Sequence, residues 1–110
     1  MNATAVVGQR VTLRCNPRVA KPVDWWYKDQ RGGDEVEIVI NGAVANGYTS
    51  RMSLVGDNVI IHNARLNDAG MYTCVEETGF GEKHKISLTV SGFSAFSVNV
   101  AFALPVGNRY

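Results

Sequence analysis

The sequence predicts an all-β domain, a sandwich or a barrel. Three observations carry this: apolar residues alternate with polar ones at period two, turn signals recur about every ten residues, and no stretch shows a 3.6-residue apolar stripe. Val11, Leu13 and Cys15 alternate with Thr12 and Arg14 in the first half-buried strand. Val23, Trp25 and Tyr27 alternate with Asp24, Trp26 and Lys28 in the second. Gly32-Gly33 marks a turn, and Val36, Ile38 and Ile40 form the inward side of a third run that Asn41-Gly42 closes as a hairpin. Ala43 to Thr49 is weakly patterned. Arg51 to Val55 is a short strand, Gly56-Asp57-Asn58 a turn, and Val59 with Ile61 the core side of the next strand. After Asn67-Asp68-Ala69-Gly70, Tyr72 and Cys74 alternate with Thr73 and Val75. A hairpin at Thr78-Gly79-Phe80-Gly81 leads into Ile86, Leu88 and Val90.

At 110 residues the chain has room for one compact domain. Eleven basic against 10 acidic residues leave a net charge of +1, too weak a field to point to nucleic acid or an anionic membrane. Cys15 and Cys74 stand in no Cys-x-x-Cys and have no second ligand at zinc spacing, so dithiol redox and cysteine–zinc chemistry drop out. If the two pair, they close a loop of about 60 residues, which in the chain-entropy model is worth about 4 kcal/mol. Such a bond persists in an oxidising compartment, and Asn2-Ala3-Thr4 is a glycosylation sequon consistent with an extracellular address. No signal peptide or membrane span is legible in the sequence.

Both cysteines and Trp25 fall on the inward phase of their strands, so a Cys15–Cys74 bond would join two sheets through the core with an indole packed on it. Over about residues 3 to 91 the chain resembles a variable-type immunoglobulin domain. The residues that carry the resemblance are Gly8-Gln9-Arg10-Val11-Thr12-Leu13-Arg14-Cys15, Val23-Asp24-Trp25-Trp26-Tyr27-Lys28, Arg51-Met52-Ser53-Leu54 and Leu66-Asn67-Asp68-Ala69-Gly70-Met71-Tyr72-Thr73-Cys74. The resemblance implies a two-sheet antiparallel Greek-key sandwich with an inter-sheet Cys15–Cys74 disulfide. It also implies a tyrosine corner at Tyr72, a tight corner at Gly70 and a structural clasp between Arg51 and Asp68. Trp25 rather than Trp26 is the expected core tryptophan, because the other choice would bury Asp24 and Lys28. That choice leaves Trp26 outside.

No catalytic constellation is legible, so no enzyme activity, cofactor or metal is expected. His62 and His84 have no serine, cysteine or carboxylate brought to them by the sequence. The clusters Asp34-Glu35-Val36-Glu37 and Glu76-Glu77 lack the spacing of a calcium loop. The expected function is recognition by an extracellular innate immune or adhesion molecule, with a protein or glycan ligand and without nucleic acid or direct membrane insertion. One contact surface is the set of apical loops, Asn16 to Pro22, Asn41 to Gly47 and Glu76 to Glu82, with Arg18, Lys21, Glu76, Glu77 and Phe80 as candidates. The alternative is homodimerisation through the outer sheet face around Trp26, Val39 and Val75. Against this stands the reading that the Gly32 to Glu35 loop half covers Trp26.

Residues 92–110 fall outside the expected variable domain, residues 1–91. Phe96, Val98, Val100 and Phe102 alternate like a strand before Leu104-Pro105 breaks it. Ser94-Ala95-Phe96-Ser97-Val98 resembles the opening strand of a complement-type jelly-roll head domain. The alternative there is a stalk or linker. A strand of this kind would dock on a sheet edge, its own or a neighbour's.

Overall fold

The computed structural model describes residues 1–17, 22–76 and 81–92. Nine strands are found among them: β1 (Asn2–Val6), β2 (Val11–Leu13), β3 (Asp24–Asp29), β4 (Val36–Ile40), β5 (Ala43–Val44), β6 (Met52–Val55), β7 (Asn58–Ile61), β8 (Gly70–Val75) and β9 (Lys83–Ser91). A single 3₁₀ turn, Leu66–Asp68, precedes β8. Six strands form one sheet in the order β1-β9-β8-β3-β4-β5, and three form the other in the order β2-β7-β6. The chain crosses between the sheets after β1, β2, β5 and β7, the Greek-key route of a sandwich.

The two sheets close on a core that includes Leu13, Val23, Trp25, Ile38, Val59, Ile61, Tyr72, Ile86 and Leu88. The Cys15–Cys74 disulfide crosses between the sheets in its middle, with 6.2 Å between the Cα atoms. Trp25 is completely buried and stands opposite Cys74 in the β3–β8 register. Its Nε1–H donates to the Asp57 carbonyl at 2.9 Å, which satisfies the one polar group of the indole. The Cys15 amide donates to Asn58 Oδ1 at 2.9 Å. The β6–β7 turn and the start of β7 are thus tied to Trp25 and to the disulfide's own Cys15.

Turn chemistry positions the strand ends. Asn41 and Gly42 both have positive φ, 49° and 79°, as a two-residue hairpin between β4 and β5 requires. Gly70 opens β8 where β3 passes close by. A Cβ there would run into the Lys28 carbonyl oxygen and stand 2.8 Å from Tyr27 Cε1.

Four expectations are corrected. The pairing is antiparallel except at one edge, where β1 runs parallel to β9 from Asn2↔Ser87 to Val6↔Ser91. β1 itself is a strand the alternation did not reveal, since Ala5 is its one buried residue. In β4, Ile38 keeps its expected inward phase, but Val39 is buried beside it while Val36 and Ile40 are 41% and 49% exposed, which breaks the strict alternation. A register shift between Trp25 and Trp26 pairs Trp25 with Val39 and Trp26 with Glu37, so two successive β4 residues turn to the core. Asp24 is buried rather than outside, because the Asn41 amide folds over it and donates to its Oδ1 at 2.7 Å.

The expected strand of Phe96, Val98, Val100 and Phe102, and the jelly-roll resemblance with it, lie outside the described residues. Among the described residues no helix is long and apolar enough to cross a membrane.

Candidate functional site

Polar residues at the lower end of the sandwich are engaged with one another. The 3₁₀ turn presents Asp68 to Arg51, whose Nη2 donates to both carboxylate oxygens at 2.8 Å. The Arg65 amide donates to Asp68 Oδ2 at 2.8 Å, and the Tyr72 hydroxyl donates to the Asp68 carbonyl at 2.6 Å. Burial, together with the nearby Asp68 charge and Tyr27, holds the Tyr72 phenol far above its ordinary range, so it remains a donor. Tyr27 packs on Tyr72 with ring centroids 4.7 Å apart, and its hydroxyl proton is shared between the Asn67 and Ala69 carbonyls. A hollow of about 480 Å³ opens beside them, lined by Tyr27, Asp29, Gln30, Arg31, Leu66, Asn67 and Ala69. Asp29 Oδ1 there already accepts from the Arg31 and Gly33 amides, which makes Asp29 a turn former.

The outer face of the six-stranded sheet is different. β3, β8 and β9 bring Trp26, Thr73, Val75 and Lys83 around a hollow of about 210 Å³, with Glu35 from the β3–β4 loop at its rim. Trp26 is half-buried, not fully exposed, and Glu35 is the part of the Gly32 to Glu35 loop that lies beside it. Val75 faces outward but is only 4% exposed, and Val39 belongs to the core. Of the three residues expected to form an exposed apolar patch, Trp26 alone is accessible to a substantial degree. The hollow adds a feature the sequence pattern did not pick out. Thr73 Oγ1, paired in register with Trp26, is buried without a hydrogen-bond partner. Glu35 and Lys83, both exposed, flank it with opposite charges.

Further along this sheet Glu37 stands beside the buried Asp24. Loss of hydration, followed by the Asp24 charge and a hydrogen bond between the two side chains, raises the Glu37 carboxyl above its ordinary range.

At the apical end Glu76 is 2% exposed, not the exposed loop acid the sequence suggested. Two backbone bonds, Glu76 N–H to the Glu82 carbonyl and Gly81 N–H to the Glu76 carbonyl, turn it inward. There its Oε2 meets His84 Nε2 at 2.6 Å. Pairing of β8 with β9, which sets Cys74 opposite His84, supplies the carboxylate that the linear sequence did not assign to this histidine. Likewise His62 Nε2 lies 2.6 Å from Ser53 Oγ across the β6–β7 hairpin. The partner of each histidine is legible only once strand register is known. The remaining loop candidates, Arg18, Lys21, Glu77 and Phe80, lie outside the described residues. Asn2 and Thr4 of the sequon are exposed on β1.

Comparison with known proteins agrees with this architecture. The family model described as an immunoglobulin domain matches residues 1–77. Human Roundabout homolog 2 is 34% identical over 87 residues, which is 74% of this chain and 5% of that protein, so the chain spans a small fraction of its relative's length. The extracellular domain of the voltage-gated sodium channel β4 subunit, described as a parallel homodimer with a role in cell–cell adhesion, superposes with a TM-score of 0.65 at 15% identity. That match covers 86% of this chain and 92% of the other. The N-terminal four-domain structure of Dscam1 isoform 6.9 superposes with a TM-score of 0.61 at 22% identity, over 81% of this chain and 22% of that one. With the disulfide, its packed tryptophan and the tyrosine corner in place, the chain belongs to the immunoglobulin domain family.

Proposed function

We propose that this non-enzymatic domain is an extracellular recognition module of an adhesion or innate immune molecule, and that its contact surface is the outer sheet face around Trp26. The observation that carries the reading is the hollow beside Trp26 with the unpartnered Thr73 hydroxyl at its wall. A buried hydroxyl without a partner costs about 1–3 kcal/mol, which an incoming polar group would recover. The half-buried indole beside it is the residue type most often found at energetic centres of protein interfaces. Glu35 and Lys83 make the patch self-complementary, since a two-fold axis would set each beside the other's opposite charge. A homotypic contact is therefore the partner proposed, in place of an interface that also used Val39.

Identity to Roundabout homolog 2 and membership of the immunoglobulin family support the adhesion class. The β4 and β5 strands added to the sheet of β3, β8 and β9 support the variable-type subclass. The exposed sequon at Asn2 supports glycosylation and an extracellular address. Residues 1–91 as the domain, with 92–110 as a following segment, belong to the same proposal.

The test is sedimentation velocity at micromolar concentration. Trp26→Ser is expected to convert a dimer to monomer without lowering the melting temperature. A dimer that survives this change, or a wild-type chain that stays monomeric throughout, overturns the homotypic reading. Loss of association instead on Phe80→Ala with Glu77→Lys would move the contact to the apical loops.

A further inference from the structure

The base of the β8–β9 hairpin gathers Glu76, Glu82 and His84 so that one ligand atom of each lies within 4.8 Å of the other two. The donors are an imidazole and two carboxylates, and the central one is not a surface acid. Glu76 is 2% exposed, and its carboxylate Oε2 is held 2.6 Å from His84 Nε2. Its position is also fixed. The Glu76–Glu82 and Gly81–Glu76 backbone bonds, at 3.0 and 2.9 Å, lock the two acidic residues against each other. Gly81 provides the space, because a Cβ there would come 2.8 Å from the Glu76 Cβ. His84 is held by its β9 pairing opposite Cys74, next to the disulfide.

We propose that Glu76, Glu82 and His84 form a zinc site with one coordination position open. Zinc–oxygen and zinc–nitrogen bonds of about 2.0–2.2 Å at tetrahedral angles set neighbouring donors about 3.3 Å apart. Glu76 Oε2 and His84 Nε2 are now 2.6 Å apart, so the ion would enter between them with a small separation. Glu82 is exposed and already places a carboxylate oxygen within 4.8 Å of both. The imidazole selects zinc over calcium and magnesium, which take oxygen ligands. Three protein ligands leave the fourth position to water or to a carboxylate or imidazole of a partner. The site joins the ends of β8 and β9, where Glu76 follows Val75 and where Glu82 and His84 flank Lys83 of the Trp26 hollow, and its test does not depend on the function proposed above.

The test is calorimetric titration of the tag-free, chelator-treated chain with zinc chloride, at neutral pH in a buffer that does not bind metal. One equivalent is expected, in the micromolar range. Glu82→Gln is the first variant, because that side chain is exposed and its loss leaves the core intact. His84→Ala is the second, checked for fold by near-ultraviolet circular dichroism. Each is expected to weaken zinc binding by about tenfold or more, the scale at which even outer-shell losses are felt. His62→Ala, at the other histidine, is expected to leave it unchanged. No saturable binding up to millimolar zinc, or binding lost with His62→Ala and retained in Glu82→Gln, overturns the assignment.

Discussion

Replacing Asp68 by alanine tests the reading of the lower clasp. The change removes the acceptor of both Arg51 bonds and of the Arg65 amide bond, and leaves a guanidinium facing a pocket shaped for a carboxylate. Breaking a fully buried pair by removing one partner costs about 3–5 kcal/mol, whereas an exposed pair is worth about 0–1. The Asp68 side chain is 5% exposed but that of Arg51 is 23% exposed, so the arginine can swing partly into water. Arg65 is exposed too, and its amide can be hydrated. These place the loss at about 2–3 kcal/mol, a drop of about 10–20 °C in melting temperature for a domain of this size. Thermal unfolding by circular dichroism reads it directly. A second change separates an unpaired charge from lost packing: Arg51→Met in the Asp68→Ala background is expected to recover part of the loss, because no ion is then stranded. A fall of under about 3 °C for Asp68→Ala, or a double variant as damaged as the sum of the two single ones, would refute the account.

Two other changes have signs set by the structure. Thr73→Val exchanges an unpartnered buried hydroxyl for a methyl of the same shape, so the isolated domain should gain about 0.5–1 kcal/mol in urea unfolding while its self-association weakens. For Glu37, the folded-state carboxyl is raised above its unfolded value, so its stabilising contribution is present at low pH and lost as pH rises through the folded value. Glu37→Gln should therefore raise the melting temperature relative to wild type near neutral pH, with the difference shrinking as the pH falls into the acid range. A difference independent of pH would remove the Asp24–Glu37 coupling as its cause.

Much of the core follows from alternation alone, because period two is a local property: Val11, Leu13, Trp25, Val59, Ile61, Tyr72, Ile86 and Leu88 are all buried where the phase puts them. The Trp25 assignment rested on keeping Asp24 and Lys28 out of the core; Trp25 is buried and Lys28 exposed as that argument requires, while Asp24 is buried all the same. What alternation misreads is non-local. Val39 turns inward because a bulge opposite Trp25 changes the pairing, and Asp24 is covered by the hairpin that follows β4. Glu76 looks like a loop acid until β9 lays His84 against it, eight positions along the chain. Ala5 gives β1 too little apolar signal to stand out as a strand, since its partner is the far end of the domain.

That partner choice has a mechanical consequence. β1 and β9 run parallel, so tension that pulls Asn2 one way and Ser91 the other drags the two strands lengthwise past each other. Their hydrogen bonds are loaded together instead of opening one at a time. Should the pair rupture, the disulfide carries the force from Cys15 straight to Cys74, 59 positions along the chain, and shields everything between them. At about 3.5 Å per residue, roughly 200 Å of chain never pays out. A domain built this way acts as a short, stiff link under load, with an unfolding rate set by one edge of one sheet.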